Sequence, residues 1–320
     1  MNFSFQQLEY LVAVDTHRHF VKAAEACFVT QPTLSMMIQK MEQSLGVQIF
    51  DRSQHPVVPT SIGAEVIDQA KVILVKANAL QQIIQDRQDQ ISGKIQIGII
   101  PTLAPYLLPR FVSEFVKQYP QVDLYLHEYL TPKIIELLKE GKLDMGIMAT
   151  PILDPKLIER PLFYERFFLY SGQTDRSIVK RKIVPEDIDL EQLWLLEAGH
   201  CMRSQVVNFC EMKQQKLPLT GLHYEAGSLE TLIRMVDRQH GLTIIPELCT
   251  FDLTEVQKLQ IKSFENPVPV REISIVYTET FYKKRALDAL YQCIIEHLPQ
   301  EITQIDNKRV IPVVETISFE

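Results

Sequence analysis

No apolar run in this 320-residue chain is long enough to cross a bilayer, which takes about 20 consecutive apolar residues. The first residues, Met1 to Glu9, lack the basic start and apolar block of a secretion signal. Without either feature the chain is expected in the cytoplasm, off the membrane. Cysteine is scarce. Five in so long a chain make no disulfide framework, and cytoplasmic thiols stay reduced unless they are catalytic or sensing. A basic excess is also missing: the formal net charge is −7, which gives no global sign of a nucleic-acid partner. There is no internal repeat and no low-complexity tract. What is present, 46% apolar and 23% charged, is the composition of globular protein with room for two or three domains.

Two of the five cysteines share one short stretch, Gly199-His200-Cys201-Met202-Arg203-Ser204-Gln205-Val206-Val207-Asn208-Phe209-Cys210. A thiol reacts as thiolate, a form favoured by nearby cations or a helix N-terminus. Cys201 has His200 and Arg203 beside it, and the apolar spacing of Met202, Val206, Val207 and Cys210 predicts a helix starting here. On such a helix the two cysteine Cα atoms would lie about 13–14 Å apart, at about 1.5 Å per residue. A disulfide needs about 7 Å or less. Bonding the pair would therefore require the helix to unravel, and the pair reads as a chemical switch. The competing reading is two buried core thiols, which the stretch taken alone favours. A zinc site at His200, Cys201 and Cys210 fits no common ligand spacing. No metal and no other cofactor is expected.

The first sixty residues predict three short helices. Leu8, Leu11 and Val12 mark the first, and His19 to Ala26 the second. Thr30 caps a third, which carries Pro32 in its first turn and ends at Gly46. Leu34, Ile38, Met41 and Leu45 form its inward stripe. Gln31, Thr33, Ser35, Met36, Gln39 and Lys40 lie on its other face. This matches a helix-turn-helix from Phe20 to Gln39, whose second helix would enter the major groove of double-stranded DNA. Ile49 to Thr60 predicts a wing, with Arg52 placed for a phosphate. The local charge argues the other way. Four Lys or Arg residues face five Asp or Glu residues in this segment, so a generic small helical domain remains open at this point.

The motifs decide more than the charge. Leu-Glu-Tyr-Leu-Val-Ala at 8–13, His-Phe-x-x-Ala-Ala at 19–24, Thr-Gln-Pro-Thr-Leu-Ser at 30–35, Leu-Gly-Val at 45–47 and Phe-x-Arg at 50–52 strongly resemble the LysR-type transcriptional regulators. The resemblance implies DNA binding through Gln31, Thr33, Ser35, Gln39, Lys40 and Arg52. The chain departs from it at Val21 and at Met36-Met37, where relatives carry more basic, smaller or more polar residues.

Beyond Thr60, Ile62, Val66, Ala70, Ile73, Ala77, Leu80 and Ile84 step by three and four along one long helix. That seam predicts a homodimer. From Gly93 the rhythm alternates strand and helix, as in parallel sheets flanked by helices. The strands expected are 95–100, 122–129, 143–148, 163–170, 193–196, 222–225, 242–245 and 272–277. The helices expected are 106–118, 132–140, at least part of 200–213, 228–239 and 283–297. The fold is therefore expected to be α/β with an N-terminal all-α winged helix-turn-helix and a long linker helix. Its regulatory region would be two α/β lobes which, by the family resemblance, are built like periplasmic binding proteins. The divisions are 1–60 for DNA binding and 61–92 for the linker and hinge. The first lobe is 93–168 with 270–300, the second 169–269, and 301–320 is a peripheral tail.

A narrower resemblance, to peroxide-sensing members of the family, runs through nearly the whole chain. It rests on Gly-His-Cys-x-Arg at 199–203 with the second cysteine at 210, Ile-Pro-Thr at 100–102, Pro-Tyr-Leu-Leu-Pro at 105–109, Tyr-Leu-His-Glu at 125–128, Gly-Lys-Leu-Asp at 141–144 and Ser-Leu-Glu-Thr-Leu at 228–232. It implies that hydrogen peroxide oxidises Cys201 to a sulfenic acid and that Cys210 resolves it as a disulfide. It assigns Thr102, Thr131, His200, Arg203 and Arg271 to the peroxide pocket. It further implies a regulator and not an enzyme, assembled as a homotetramer, controlling oxidative-stress genes, with RNA polymerase as a further candidate partner. Ser204 stands where those relatives carry an acid. Two rivals follow from the residues: a regulator answering a small organic effector held between the lobes near Thr102, and a thiol peroxidase, against which the N-terminal domain argues.

Overall fold

The computed structural model describes residues 3–86, 91–172, 182–210, 226–239, 241–303 and 307–313. The chain divides into two units, Met1–Gln90 with Thr280–Lys284 and Ile91–Glu279 with Arg285–Glu320.

The first unit begins with a reciprocal cap. The Ser4 hydroxyl accepts the Gln7 N–H, and the Gln7 side-chain oxygen accepts the Ser4 N–H, opening α1 (Phe5–His17). Then come α2 (Phe20–Ala26), α3 (Gln31–Leu45), a wing of β1 (Phe50–Asp51) antiparallel to β2 (Val58–Pro59), and α4 (Ser61–Asp86). Thr30 caps α3 as its sequence predicts, and Gly46 ends it in the left-handed region at φ 69°. Leu34, Ile38 and Met41 pack with Leu8, Leu11, Val14, Ile49 and Phe50 in one core. Leu45, expected on the same stripe, is exposed, because the core ends one turn earlier.

The linker helix differs from expectation in a telling way. A Cβ added at Gly63 would lie 1.9 Å from the Ile49 carbonyl oxygen, so glycine is what lets α4 approach the wing. Behind that contact Ile67 and Ala70 are buried in the DNA-binding core, with Val66 and Leu74 packed against it. Ala70 of the expected seam thus serves its own domain. Ile62, Ile73 and Leu80 are exposed, Leu80 to 65%. The Ile84 side chain lies outside the described residues.

In the second unit β3 (Gly93–Ile99), α5 (Ala104–Gln118), β4 (Val122–Glu128), α6 (Thr131–Lys139) and β5 (Met145–Thr150) build parallel pairs, β3 with β4 and β3 with β5. The long β6 (Leu157–Ser171) follows, then β7 (Lys182–Ile183), α7 (Cys201–Phe209), α8 (Leu229–Gln239), β8 (Leu242–Pro246), α9 (Glu247–Thr250), α10 (Glu255–Lys258), β9 (Ile261–Phe264), β10 (Val268–Thr278), α11 (Lys284–Glu296) and β11 (Lys308–Val310). This is the α/β architecture expected. The strand order is β4-β3-β5-β10-β6-β9-β7, with β8 on β6 and β11 on β10.

β6 changes partners midway. Leu157 to Arg166 pair with β10, whereas Phe167 to Ser171 pair with β8 and Phe168 to Tyr170 with β9. This change of partners joins the two sets of strands.

Several sequence expectations need correction. Residues 193–196 form isolated bridges, Leu193 with Leu242 and Leu196 with Ala226, and not a strand. Of the stretch expected to be helical at least in part over 200–213, Cys201–Phe209 is helix with Cys210 as its C-cap, and 211–213 lie outside the described residues. The strand expected over 222–225 lies outside the described residues. The described part of the tail is not peripheral: β11 pairs parallel with β10, Val268 to Lys308 and Val270 to Val310, and Ile311 is buried. Its short Lys-Arg-Val strand carries no apolar alternation that would announce it.

Candidate functional site

The helix-turn-helix presents Gln31, Thr33, Met36, Gln39 and Lys40 outward on α3, opposite its buried stripe. Five of the expected DNA contacts are on α3. Ser35 is half-buried, its hydroxyl 3.5 Å from an Arg52 nitrogen. Val21 and Met36 are exposed apolar groups on this domain. The structure gives Arg52 work inside the domain. Its guanidinium pairs with Glu42 at 2.9 Å and lies over the Phe20 ring. The other Glu42 oxygen accepts the Ile49 and Phe50 N–H groups. Glu42 was not among the expected site residues. Its signal was a carboxylate on a recognition helix that meets phosphates, where an acid needs a structural reason.

The candidate sensor region lies around the start of α7. Gly199 takes φ 96°, a left-handed conformation that few other residues adopt, and turns the chain into the helix. A Cβ there would lie 3.1 Å from Leu130 Cδ1, so the loop rests against the residue before Thr131. His200 is the N-cap and Cys201 the first helical residue, both buried. Thr131 opens α6 and is buried as well. The Thr131 hydroxyl and His200 Nε2 have no hydrogen-bond partner among the described residues. A buried polar atom without a partner costs about 1–3 kcal/mol.

His200 differs from the cation expected beside Cys201. Burial pushes its pKa below the ordinary histidine value, and Glu197 opposes that shift only in part, from 3.7 Å. At neutral pH it is a neutral imidazole. The positive end of the α7 dipole is left as the favourable field at Cys201. Arg203 also turns elsewhere. Its Nη1 donates to the Leu196 carbonyl at 2.5 Å, tying α7 to the segment before it.

Thr102, in the turn after β3, is joined to Arg271. Arg271 Nη1 donates to the Thr102 hydroxyl at 2.9 Å and Nη2 to its carbonyl at 3.2 Å. Arg271 was expected just before a strand but lies within β10 and is fully buried. Its counter-charge is Glu165 of β6, 2.6 Å away and equally buried. Sequence reasoning missed Glu165. The available signal was a lone carboxylate inside the apolar run from Leu162 to Tyr170, where burial demands a partner.

Cys201 and Cys210 are both free thiols at opposite ends of α7. Burial, with Glu186 adding to it, pushes the Cys210 pKa up to about 12. Cys249 and Cys293 are buried free thiols and Cys27 is half-buried. Among the described residues no group of three His, Cys, Asp or Glu side chains is placed to hold a metal ion. No described helix is long and apolar enough to cross a membrane.

Known proteins match both parts of the chain. Residues 5–64 match the bacterial regulatory helix-turn-helix protein model of the lysR family, and residues 88–299 match the LysR substrate binding domain. The hydrogen peroxide-inducible genes activator of Pectobacterium carotovorum subsp. carotovorum is 35% identical over 295 residues, covering 92% of this chain and 97% of the relative. The DNA-binding transcriptional dual regulator OxyR of Escherichia coli K12 is 37% identical over 276 residues, 86% of this chain and 89% of that one. A full-length OxyR variant from Pseudomonas aeruginosa superimposes with a TM-score of 0.76 at 31% identity, covering 92% of this chain and 99% of its own. With both parts matched over most of its length, the chain belongs to the LysR family of DNA-binding transcriptional regulators and is similar, within that family, to the OxyR proteins.

Proposed function

We propose that this regulator senses hydrogen peroxide through Cys201 and Cys210 and transmits the change to its DNA-binding domains. The observation that carries the reading is Cys201 as the first residue of a helix, next to the buried His200, in a loop that rests on Leu130 before the buried Thr131, with a second thiol at the helix's far end. The Cys201 thiolate attacks one peroxide oxygen. The O–O bond breaks, the sulfur is oxidised by two electrons to a sulfenic acid, and the departing hydroxide takes a proton and leaves as water. The Thr131 hydroxyl and His200 Nε2 hold the peroxide and the transferring proton, and Thr102, fixed by Arg271, lines the same pocket. The Cys210 sulfur then attacks the sulfenic sulfur, a disulfide forms, and a second water leaves.

The helix must open for that second step. Nine residues of helix hold the two Cα atoms roughly 13–14 Å apart at about 1.5 Å per residue. Cys210, half-buried at the C-cap, is also held as the unreactive thiol while α7 is intact. Opening α7 exposes it and lets it ionise. The refolded segment then changes how regulatory regions meet, and the change is read by the DNA-binding heads. The exposed Ile62, Ile73 and Leu80 on α4 supply the apolar surface of a homodimer that presents two recognition helices to a two-fold site. The protein works in the cytoplasm as a regulator and not as an enzyme, as a dimer of dimers, with RNA polymerase as the partner it addresses.

A peptide map of reduced protein after stoichiometric peroxide tests this. A rapid Cys201–Cys210 cross-link, abolished by Cys201→Ser, is expected. Both thiols remaining free while an ordinary exposed thiol oxidises would sink the peroxide reading and favour a small organic effector.

A further inference from the structure

The last described strand, β11, is fastened to the helix that carries the sensing cysteine. Gln205 lies in the middle of α7, fully buried, and its Nε2 donates to the Ile311 carbonyl at 2.6 Å. Ile311 in turn donates its N–H to the Val270 carbonyl of β10 at 2.8 Å. Just before it, β11 pairs with Val268 to Val270, and Val268 N–H donates to the Asn307 carbonyl. Lys308 adds a third fastening, its ammonium over the ring of Tyr164 on β6 at 3.4 Å. Residues 307–311 therefore run from the two strands that join the lobes to the core of the redox helix.

The Gln205 amide is an awkward group to bury. Its Oε1 has no hydrogen-bond partner among the described residues, so the bond to Ile311 is what satisfies the side chain. An apolar residue would pack there without that demand. The amide makes the helical form of α7 depend on the presence of the terminal strand. Val206 and Phe209 bury the helix by ordinary packing, which needs no such partner.

We propose that the terminal segment 307–313 is a latch: through Gln205 it holds α7 in its reduced, helical form, and disulfide formation releases it. The inference rests on the peroxide reading above. Joining Cys201 to Cys210 brings the ends of α7 together, which displaces Gln205 from the Ile311 carbonyl. β11 then loses its tie to the helix and is held by its short pairing on β10 and the Lys308 contact with Tyr164 alone. Conversely, the latch opposes oxidation, because the helix cannot open without giving up that bond. It sets how much oxidant is needed before the switch turns.

Hydrogen exchange on the full-length protein, reduced and then oxidised by peroxide, tests the release without any substitution. The expected result is a protected Ile311 amide in the reduced form that exchanges at least tenfold faster once the Cys201–Cys210 disulfide is confirmed by mass. A disulfide with unchanged protection at Ile311 would overturn the latch alone. Absence of any such disulfide would overturn the peroxide reading and the latch with it. The second arm is a chain ending at Asn307, equilibrated with glutathione buffers. Its thiol–disulfide equilibrium is expected to shift about tenfold toward disulfide. An equilibrium within twofold of the full chain overturns the latch, and should this variant fail to fold, the exchange measurement decides.

Discussion

Arg271 and Glu165 are an ion pair from which water is wholly excluded, on neighbouring strands at the place where β6 changes partners. Each also reaches outward: Arg271 to the Thr102 hydroxyl in the turn after β3, and Glu165 to the Leu248 N–H at the start of α9. Thr102 belongs to the first set of strands and Leu248 follows β8 of the second. One buried pair therefore staples both lobes and fixes the hydroxyl assigned to the peroxide pocket.

Removing one partner of such a pair leaves a charge stranded in the core, at a cost of about 3–5 kcal/mol. Arg271→Ala is expected to lower unfolding free energy by that order in urea titration. Glu165→Gln keeps one acceptor and is expected to cost less. Arg271→Ala frees Thr102, so peroxide oxidation of Cys201, followed by stopped-flow at matched folded fractions, is expected to slow in that variant. An Arg271→Ala protein as stable as wild type would show that the pair contributes nothing to joining the lobes.

Cys210 should be nearly inert while α7 is intact. With a pKa of about 12, its thiolate fraction at pH 7.5 is roughly 1 in 30,000, against about 1 in 10 for an ordinary cysteine. Iodoacetamide is expected to label Cys210 in reduced, native protein on the order of a thousand times more slowly than a model thiol. Cys210→Ser should leave the Cys201 sulfenic acid without a resolving partner, so that dimedone traps it. Fast native labelling of Cys210 would mean that the helix opens before oxidation.

His200 ties the stability of the reduced form to pH. Burial favours its neutral ring, so the folded protein binds the proton less readily than the unfolded chain. Between the two pKa values the unfolded state holds more protons, and stability rises with pH through that window. The contribution is complete above about 6.5 and is lost as pH falls below it. The fall in melting temperature from pH 7.5 to 5.5 is expected to be smaller in His200→Asn than in wild type. Equal slopes would show that the ring is free to protonate where it stands.

Much of this was legible in the sequence, for identifiable reasons. Thr30, Pro32 and Gly46 act within a few residues of themselves, so the ends of α3 could be read directly. The start of α7 at Cys201 followed from local spacing in the same way. Partnerships across the fold could not be read. Glu165 meets Arg271 106 residues later in the chain, and Gln205 meets Ile311 106 residues later. Neither partner carries a local mark of the other. The neutral state of His200 was also hidden, because it depends on burial and not on its neighbours in sequence. β11 escaped because three residues, two of them cationic, look like loop.

Glu42 separates two accounts of Arg52. If Arg52 contacts a phosphate, Glu42 merely weakens it, and Glu42→Ala should tighten DNA binding by removing a negative charge. Here Glu42 instead accepts two backbone N–H groups at the start of β1 as well as Arg52, so it holds the wing in place. Leaving those groups unsatisfied costs about 1–3 kcal/mol, and the wing loosens. Glu42→Ala is therefore expected to bind an operator, selected by the wild-type protein from random sequence, about tenfold more weakly. Arg52→Gln should weaken binding comparably while leaving the salt dependence of affinity unchanged, because no phosphate contact is lost. A phosphate contact would instead reduce that slope by about 0.9. Tighter binding by Glu42→Ala, or a reduced slope in Arg52→Gln, would return Arg52 to the DNA backbone.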